Sequence, residues 1–280
     1  MLVDFVGLIR QHGFAAGRDC GMQPFAEWQA AVQAKTGECP PADPREVYPW
    51  ANGLWVLGAA YVPFDTPSEC LDIPAYYFAS NAAYHVGQAL ARELTAVGMR
   101  AEVADELPYR AAAVRAGVGE QGDNGLFFWD GYGSRVCLCL MAIERAVPLD
   151  FGTGAPTRCL HCGLCTARCP AKALSGNGWV SADCLREDIN EFPGSPERDR
   201  LVGRRAFGCD TCQAVCPAQV VPATIPHDDY ARLYDIEAIL ADGDLTGRSR
   251  AVAAQLGKNL AKPERLYNSA LRAKKNGEQV

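Results

Sequence analysis

Cys159-Leu-His-Cys162-Gly-Leu-Cys165-Thr-Ala-Arg-Cys169-Pro170 decides how this chain is read. Three cysteines at x2 spacing wrap a loop around one cubane and reach three of its irons. The fourth, one helical turn on, points toward a different cluster, and the proline after it fixes the chain direction. Soft thiolates suit iron–sulfur clusters. A second run, Cys209-Asp-Thr-Cys212-Gln-Ala-Val-Cys216-Pro217, lacks the first cysteine of a full set. Cys184, 25 residues before Cys209, stands in for it, and the count closes at eight ligands for two [4Fe–4S] clusters. The expected sets are crossed. Cys159, Cys162, Cys165 and Cys216 serve one cluster; Cys169, Cys184, Cys209 and Cys212 serve the other. Crossing brings the clusters close together, as an electron relay needs. Two tetrahedral zinc sites would also use eight thiolates, but x2 spacing closed by Cys-Pro in both runs is a poor zinc pattern. His161, between two ligands, is expected outside the coordination.

These eight are the core of an unusual total of thirteen cysteines in 280 residues. The other five, Cys20, Cys39, Cys70, Cys137 and Cys139, are scattered and mostly flanked by apolar residues, and are read as free buried thiols. The chain is too large for a secreted disulfide scaffold and shows no basic leader or twin-arginine pair, so it is expected in the cytoplasm. No apolar run reaches the roughly 20 residues of a membrane helix. A hydrophobic content of 49% excludes wholesale disorder, and a net charge of −6 argues against nucleic-acid binding by bulk charge. A lone two-cluster ferredoxin needs about 60 to 80 residues. Some 150 residues precede the cysteines here, so that half is expected to hold what the electrons are for.

Along the chain, Met1–Gly13 reads as a short amphipathic helix and Leu54–Val62 as a buried strand. Asn81 is expected to cap a helix that ends near Gly98. Arg100–Ala104 and Arg135–Ala142 read as strands, Arg110–Ala116 as a short helix, and Pro148–Pro156 as a linker. The expected organisation is α+β: residues 1–150 for a cofactor and substrate domain, 151–222 for a ferredoxin-like two-cluster domain, and 223–280 for a short helical segment. Arg248 to Lys275 holds eight basic residues and one acid, read as a solvated helix face with a small phosphate- or RNA-binding patch as the alternative. Gly117, Gly119, Gly122 and Gly125 form a loop whose backbone can approach a large ligand closely. It matches the dinucleotide fingerprint only by letter, because Asp123, Asn124 and Gly125 favour a turn.

The stretch Arg204-Arg-Ala-Phe-Gly-Cys209-Asp-Thr-Cys212-Gln-Ala-Val-Cys216-Pro217 resembles the second cluster motif of the epoxyqueuosine reductases, cobalamin-dependent iron–sulfur enzymes of tRNA queuosine synthesis. Cys184 sits where that family has its extra ligand. Asp43-Pro-Arg-Glu-Val-Tyr-Pro49 looks like its N-terminal signature, and Asp105-Glu-Leu-Pro108 with Ala116-Gly-Val-Gly119 looks like the segment carrying its catalytic aspartate. The resemblance covers about residues 40–220. The family's Gly-Lys-Asn-Thr string is replaced by Glu120-Gln-Gly-Asp-Asn-Gly-Leu126, and Tyr132-Gly-Ser-Arg135 follows; this form is more similar to the corrinoid reductive dehalogenases. About 60 residues follow the clusters, where the epoxyqueuosine reductases carry a long helical-repeat domain, so the chain reads as a shortened relative of both families.

The resemblance implies a nitroreductase-like α+β domain that holds a corrinoid against the ferredoxin-like domain. With no Asp-x-His-x-x-Gly string to supply a lower histidine ligand, a base-off cobalamin is expected. Asp105 is then the candidate proton donor, a role that needs a shielded site; Tyr109 or Tyr132 is the alternative. Tyr84, His85, Asn124 and Ser134, with the four glycines, are the candidate cofactor-binding residues. The expected activity is a reductase fed by a low-potential donor such as ferredoxin or flavodoxin and acting on a small molecule or a cofactor. The alternatives are a protein that reduces a corrinoid or other tetrapyrrole for a partner, and a flavin reductase using FMN. The net charge of −6 weighs against tRNA as substrate without excluding it.

Overall fold

Two eight-residue strands make the centre of the molecule, and both are apolar on both faces. The computed structural model describes residues 3–175, 178–189, 194–219, 224–225, 227 and 229–278. Its main sheet uses β1 (Ala16–Asp19), β2 (Gly53–Ala60), β3 (Ala101–Val103), and, after a β4–β5 hairpin (Gly119–Gln121 and Phe127–Trp129), β6 (Val136–Ile143) and β7 (Asp150–Phe151). The strand order is β3-β6-β2-β1-β7, antiparallel throughout. Side chains alternate along β2: Leu54 and Val56 enter one core, Trp55 and Leu57 the other. A sheet covered on both sides needs such strands, and each fully buried large side chain contributes about 1.5–3 kcal/mol.

The helix Ala75–Ala96 covers one face through Leu90, Ala91 and Leu94. The other face packs on the helix Tyr109–Arg115 and on Phe127 and Trp129 of the hairpin. A third core joins Cys70–Phe78 to Ala206, Phe207 and the C-terminal helices Tyr230–Tyr234, Ile236–Ala241, Thr246–Leu256 and Pro263–Gly277. The segment after the cysteines is thus packed onto the start of the long helix. Among the described residues no helix is long and apolar enough to cross a membrane.

Four expectations change. Cys39, read as a buried thiol, is exposed in the stretch after the helix Ala26–Thr36, while Cys20, Cys70, Cys137 and Cys139 are buried. Asn81 caps nothing: the helix starts at Ala75, after Pro74, and Asn81 donates to the Ala254 carbonyl at 3.2 Å. The expected linker contains β7, which pairs with β1 and is held by Arg18 against Asp150 at 2.8 Å. The basic stretch is not one solvated face. Arg272 is buried and pairs with Asp199 at 2.8 Å, and Arg248 pairs with Asp242 at 3.1 Å.

Candidate functional site

The cysteine loops are shaped by backbone that few residues adopt. Among the described residues only His161, Lys172 and Phe207 have positive φ without being glycine, and all three lie in the cysteine-rich segment. Gly163, at φ 71°, opens the short helix Leu164–Arg168 between Cys162 and Cys169. These bends gather the eight thiols into two groups. Cys159, Cys162, Cys165 and Cys216 border one small cavity with Asn124 and Phe128. Cys169, Cys184, Cys209 and Cys212 stand together on the wall of a second, much larger one. Each group draws on both runs. Burial pushes the Cys212 thiol up to about 12, and Cys209, Cys184, Cys165 and Cys169 around it push the same way. Four crowded thiols make a soft donor set suited to iron–sulfur; Asp210 stands beside the second group, and Asp123 and His161 lie beside Cys159 of the first. Backbone and hydroxyl groups already face the sulfurs. The Ala173 N–H donates to Cys169 Sγ at 3.3 Å, and Thr211 Oγ1 lies 3.3 Å from Cys209 Sγ.

The large cavity measures about 1240 Å³. That exceeds the roughly 300–1,000 Å³ of ordinary small-molecule pockets. Its wall joins the N-terminal half to the second cysteine group. Tyr61, Tyr76, Tyr77, Tyr84 and Tyr109 line it, with Trp28 and Trp179. Burial raises the Tyr61 and Tyr109 phenols, so both stay protonated at neutral pH. Cys137 and Cys139, on the β6 wall, are pushed up to about 12 by burial and remain neutral thiols. The Asp210 carboxyl is also raised, by burial first and by Asp72 second, against Arg135 and Arg205. No described lining residue is a histidine or a methionine.

Of the candidate cofactor-binding residues, the structure brings Tyr84, Asn124, Gly125 and Ser134 to this cavity. It leaves the others outside the lining, each for a local reason. His85 follows Tyr84 on the helix and stacks edge-on against it at 5.5 Å. Gly117, at φ 68°, sits just past the end of the helix Tyr109–Arg115, where a left-handed residue is needed. Gly119 lies in β4, where a Cβ would meet the Phe128 carbonyl oxygen at 1.8 Å. Gly122 closes the β4–β5 turn: its N–H donates to Leu126, and its carbonyl accepts from Gly125. The glycine-rich loop is therefore a hairpin. Asp105 is exposed and lies off the lining, in the turn after β3, while its neighbour Ala104 is buried. Tyr132 is outside as well, its hydroxyl donating to the Ala15 carbonyl at 3.3 Å.

Gln213 was not singled out in the sequence, although it lies inside the second run. It is buried, and it ties three elements together. Its Nε2 donates to the Ser134 carbonyl at 2.9 Å and to Ser134 Oγ at 3.1 Å, and its Oε1 accepts from Tyr61 at 3.1 Å. Gln219 also donates to Ser134 Oγ, at 2.6 Å. Asn124 donates to the Cys212 carbonyl at 3.4 Å and accepts from the Leu126 N–H at 3.2 Å. The polar groups of Ser134 and Asn124 are thus largely engaged with the chain itself, and they fasten the second cysteine loop to the N-terminal half.

Residues 158–219 match the family described as 4Fe-4S double cluster binding domain, which makes this segment a two-cluster iron–sulfur unit. The curated relatives extend the likeness upstream. The epoxyqueuosine reductase of Lactococcus garvieae (strain Lg2) is 39% identical over 113 residues, 38% of this chain and 30% of its own length. That of Pseudomonas aeruginosa is 31% identical over 196 residues, 62% of this chain and 53% of its own.

This chain resembles the epoxyqueuosine reductases.

The fold agrees. A solved epoxyqueuosine reductase with an epoxyqueuosine-modified tRNA-Tyr stem loop superposes with a TM-score of 0.77 over 96% of this chain and 80% of that one, at 19% identity. The Bacillus subtilis epoxyqueuosine reductase, solved with its catalytic aspartate loop swung out of the active site, superposes at 0.74 with 21% identity over the same shares. The matched stretches span between 28% and 53% of the curated epoxyqueuosine reductases.

Proposed function

We propose that the chain is an iron–sulfur reductase of the epoxyqueuosine reductase type that seats a base-off corrinoid in the large cavity. One observation carries the reading: Cys169, Cys184, Cys209 and Cys212 lie on the wall of the same 1240 Å³ cavity that Tyr61, Tyr84, Tyr109 and Asn124 line. An electron arriving at that quartet is already at the cavity. The surroundings suit a corrinoid without a protein lower ligand. The described lining offers no histidine or methionine, and its two β6 thiols are protonated. When bound, a corrinoid would supply a low-valent metal able to reduce an electrophilic carbon. Nothing in the lining favours the FMN alternative.

The chain's own residues do the rest. The Gln213–Ser134 bonds and the Asn124–Cys212 bond hold the cluster loop against the cavity wall. The aromatic residues exclude water and stack on flat groups. Besides Asp105, Tyr109 is the candidate proton donor: its phenol lines the cavity, as those of Tyr61 and Tyr77 do, and burial keeps all three protonated. Asp105 would serve only if its segment swung inward, a movement for which the displaced loop of the Bacillus subtilis enzyme is a precedent.

An epoxide-bearing nucleoside in RNA is the first substrate to test, because one similar solved protein holds such a stem loop. This reverses the expectation drawn from the net charge. A whole-chain sum of −6 reports solubility and non-specific binding, not the field at one cavity mouth.

The test is anaerobic reconstitution. About eight irons per chain are expected, and added cobalamin should give a base-off spectrum. Turnover of an epoxyqueuosine-bearing stem loop should fall at least about 100-fold in Tyr109→Phe if that phenol is the donor, and in Asp105→Asn if the aspartate is. Cobalt reduction without turnover on any epoxide would favour a protein that reduces the cofactor for a partner. Zinc in place of iron, or no change in the cobalamin spectrum, would remove the proposal.

A further inference from the structure

The hydrogen bonds around Ser134 and Gln213 have a fixed direction, and that direction decides what they leave over. The Ser134 carbonyl can only accept. Gln213 reaches it at 2.9 Å, so that end of the Gln213 amide is the nitrogen. The other end is the oxygen, and Tyr61, 3.1 Å away, must donate to it. The Ser134 N–H can only donate, and it meets Gln219 Oε1 at 3.3 Å, which turns the Gln219 nitrogen toward Ser134 Oγ. Ser134 Oγ thus accepts from Gln213 at 3.1 Å and from Gln219 at 2.6 Å. Both lone pairs of that hydroxyl are taken.

Two groups remain. The Ser134 hydroxyl keeps its own proton, for which no acceptor stands among the described residues, and the residue is only 5% exposed. The Tyr61 oxygen has its proton directed at Gln213 and keeps a lone pair, and burial holds the phenol in its neutral form. Both residues line the large cavity. They sit on the two ends of one planar amide, so a donor and an acceptor stand side by side there. A buried donor without an acceptor carries a desolvation penalty that a ligand carbonyl relieves. The group that answers both at once has a carbonyl and an N–H on one edge, as a primary carboxamide or a lactam does. It lies against the pair in the sense opposite to Gln213 and closes a ring of four hydrogen bonds. An ester or a ketone meets only Ser134, and a carboxylate sets a second acceptor against Tyr61.

We infer that Ser134 and Tyr61 form a subsite for a ligand amide, with the Ser134 O–H donating to its carbonyl and its N–H donating to the Tyr61 oxygen. The inference rests on the reading that the cavity takes a ligand, and it adds the chemical class of the group that is oriented there. Two sources carry this chemistry, a peripheral carboxamide of a corrinoid and the lactam edge of a nucleobase. The aromatic walls supply most of the affinity, and the pair sets the orientation.

The test uses the full chain with both clusters reconstituted and two flat probes of one shape. 2-Quinolone carries a lactam; coumarin has a ring oxygen in place of the N–H. In equilibrium titrations the unaltered chain should prefer 2-quinolone by about three- to tenfold. Tyr61→Phe should erase that preference, and Ser134→Ala should weaken both probes by about three- to tenfold. Iron per chain and melting temperature are read alongside, and the preference of the unaltered chain decides even where a variant fails to fold. No preference in the unaltered chain, no saturable binding of either probe, or iron-loaded variants that behave as the parent would each overturn the inference. The same variants tell the two sources apart. Weaker binding of cobinamide identifies a corrinoid carboxamide. Weaker binding of an epoxyqueuosine-bearing stem loop, with cobinamide unchanged, identifies the base. A chain that selects 2-quinolone but takes up neither cobinamide nor the stem loop would refute the proposed function and leave the amide subsite standing, so the two failures are distinguishable.

Discussion

Arg272→Ala tests how the C-terminal helix supports the second cluster. The guanidinium is 2% exposed. It pairs with Asp199 at 2.8 Å and donates to the Ile189 and Asp188 carbonyls at 3.3 and 3.1 Å. Burial lowers its pKa and Asp199 acts against that, so the charge is held by its partner. Removing the guanidinium leaves a half-buried Asp199 and the two helix-end carbonyls without their partner, at a cost of up to about 3–5 kcal/mol. In a chain of this size that corresponds to a fall in Tm of about 6–10 °C. The loss should be felt locally, because the clamped carbonyls end the helix Leu185–Ile189, which begins one residue after Cys184. Scanning calorimetry measures the first effect. Iron per chain after gel filtration measures the second and should drop from about eight toward about four, as the cluster that uses Cys184 is lost. Arg272→Met combined with Asp199→Leu should recover most of the stability, since a well-packed apolar pair can replace a buried ion pair. A single variant within about 2 °C of the parent, or a double variant no better than the single, would refute the reasoning.

Alkaline stability should report the buried thiols. Cys20, Cys137 and Cys139 are each held up to about 12, chiefly by burial, against an ordinary value of 9.0. Above pH 9 the unfolded chain therefore binds fewer protons than the folded one, so their contribution is complete below about pH 9 and is lost as pH rises toward 12. The slope should approach about 1.4 kcal/mol per pH unit for each thiol, and urea titrations of Cys139→Ala should show it reduced by one such share. Two glycines of the same loop should behave differently. Gly119→Ala should cost about 3 kcal/mol or more, because its Cβ would sit 1.8 Å from the Phe128 carbonyl oxygen. Gly117→Ala meets nothing closer than 4.0 Å and should cost only the left-handed backbone term, about 1–2 kcal/mol. Equal losses in urea melts would contradict that contrast.

What was legible in the sequence was whatever a local pattern encodes. The strands β2 and β6 announce themselves as unbroken apolar runs because each is buried on both faces. The cysteine runs announce themselves because a cubane dictates ligand spacing. Outside those patterns the same letters carried different physics. Asn81 is a good cap residue, yet Pro74 lets the helix begin about two turns earlier, and Asn81 becomes a tie to the C-terminal helices. Strand β7 has two residues, too few to show any period. Arg272 stands among surface lysines in the sequence, and only its contacts with Asp188, Ile189 and Asp199 reveal a buried clamp. The cavity was least legible, because its wall is assembled from places far apart in the chain: Trp28, Tyr61, Tyr109, Cys184 and Gln213. Composition could name Ser134 and Asn124 as polar residues free to greet a ligand. It could not show that Gln213 and Gln219 already occupy the Ser134 oxygens, or that the Asn124 amide is directed at Cys212. In this site the polar groups hold the cluster loop in place, and the aromatic residues are left to meet whatever enters. A ligand should therefore be selected by flat shape more than by hydrogen bonding, and trimming Tyr84 or Trp28 to alanine should weaken its binding more than Ser134→Ala does.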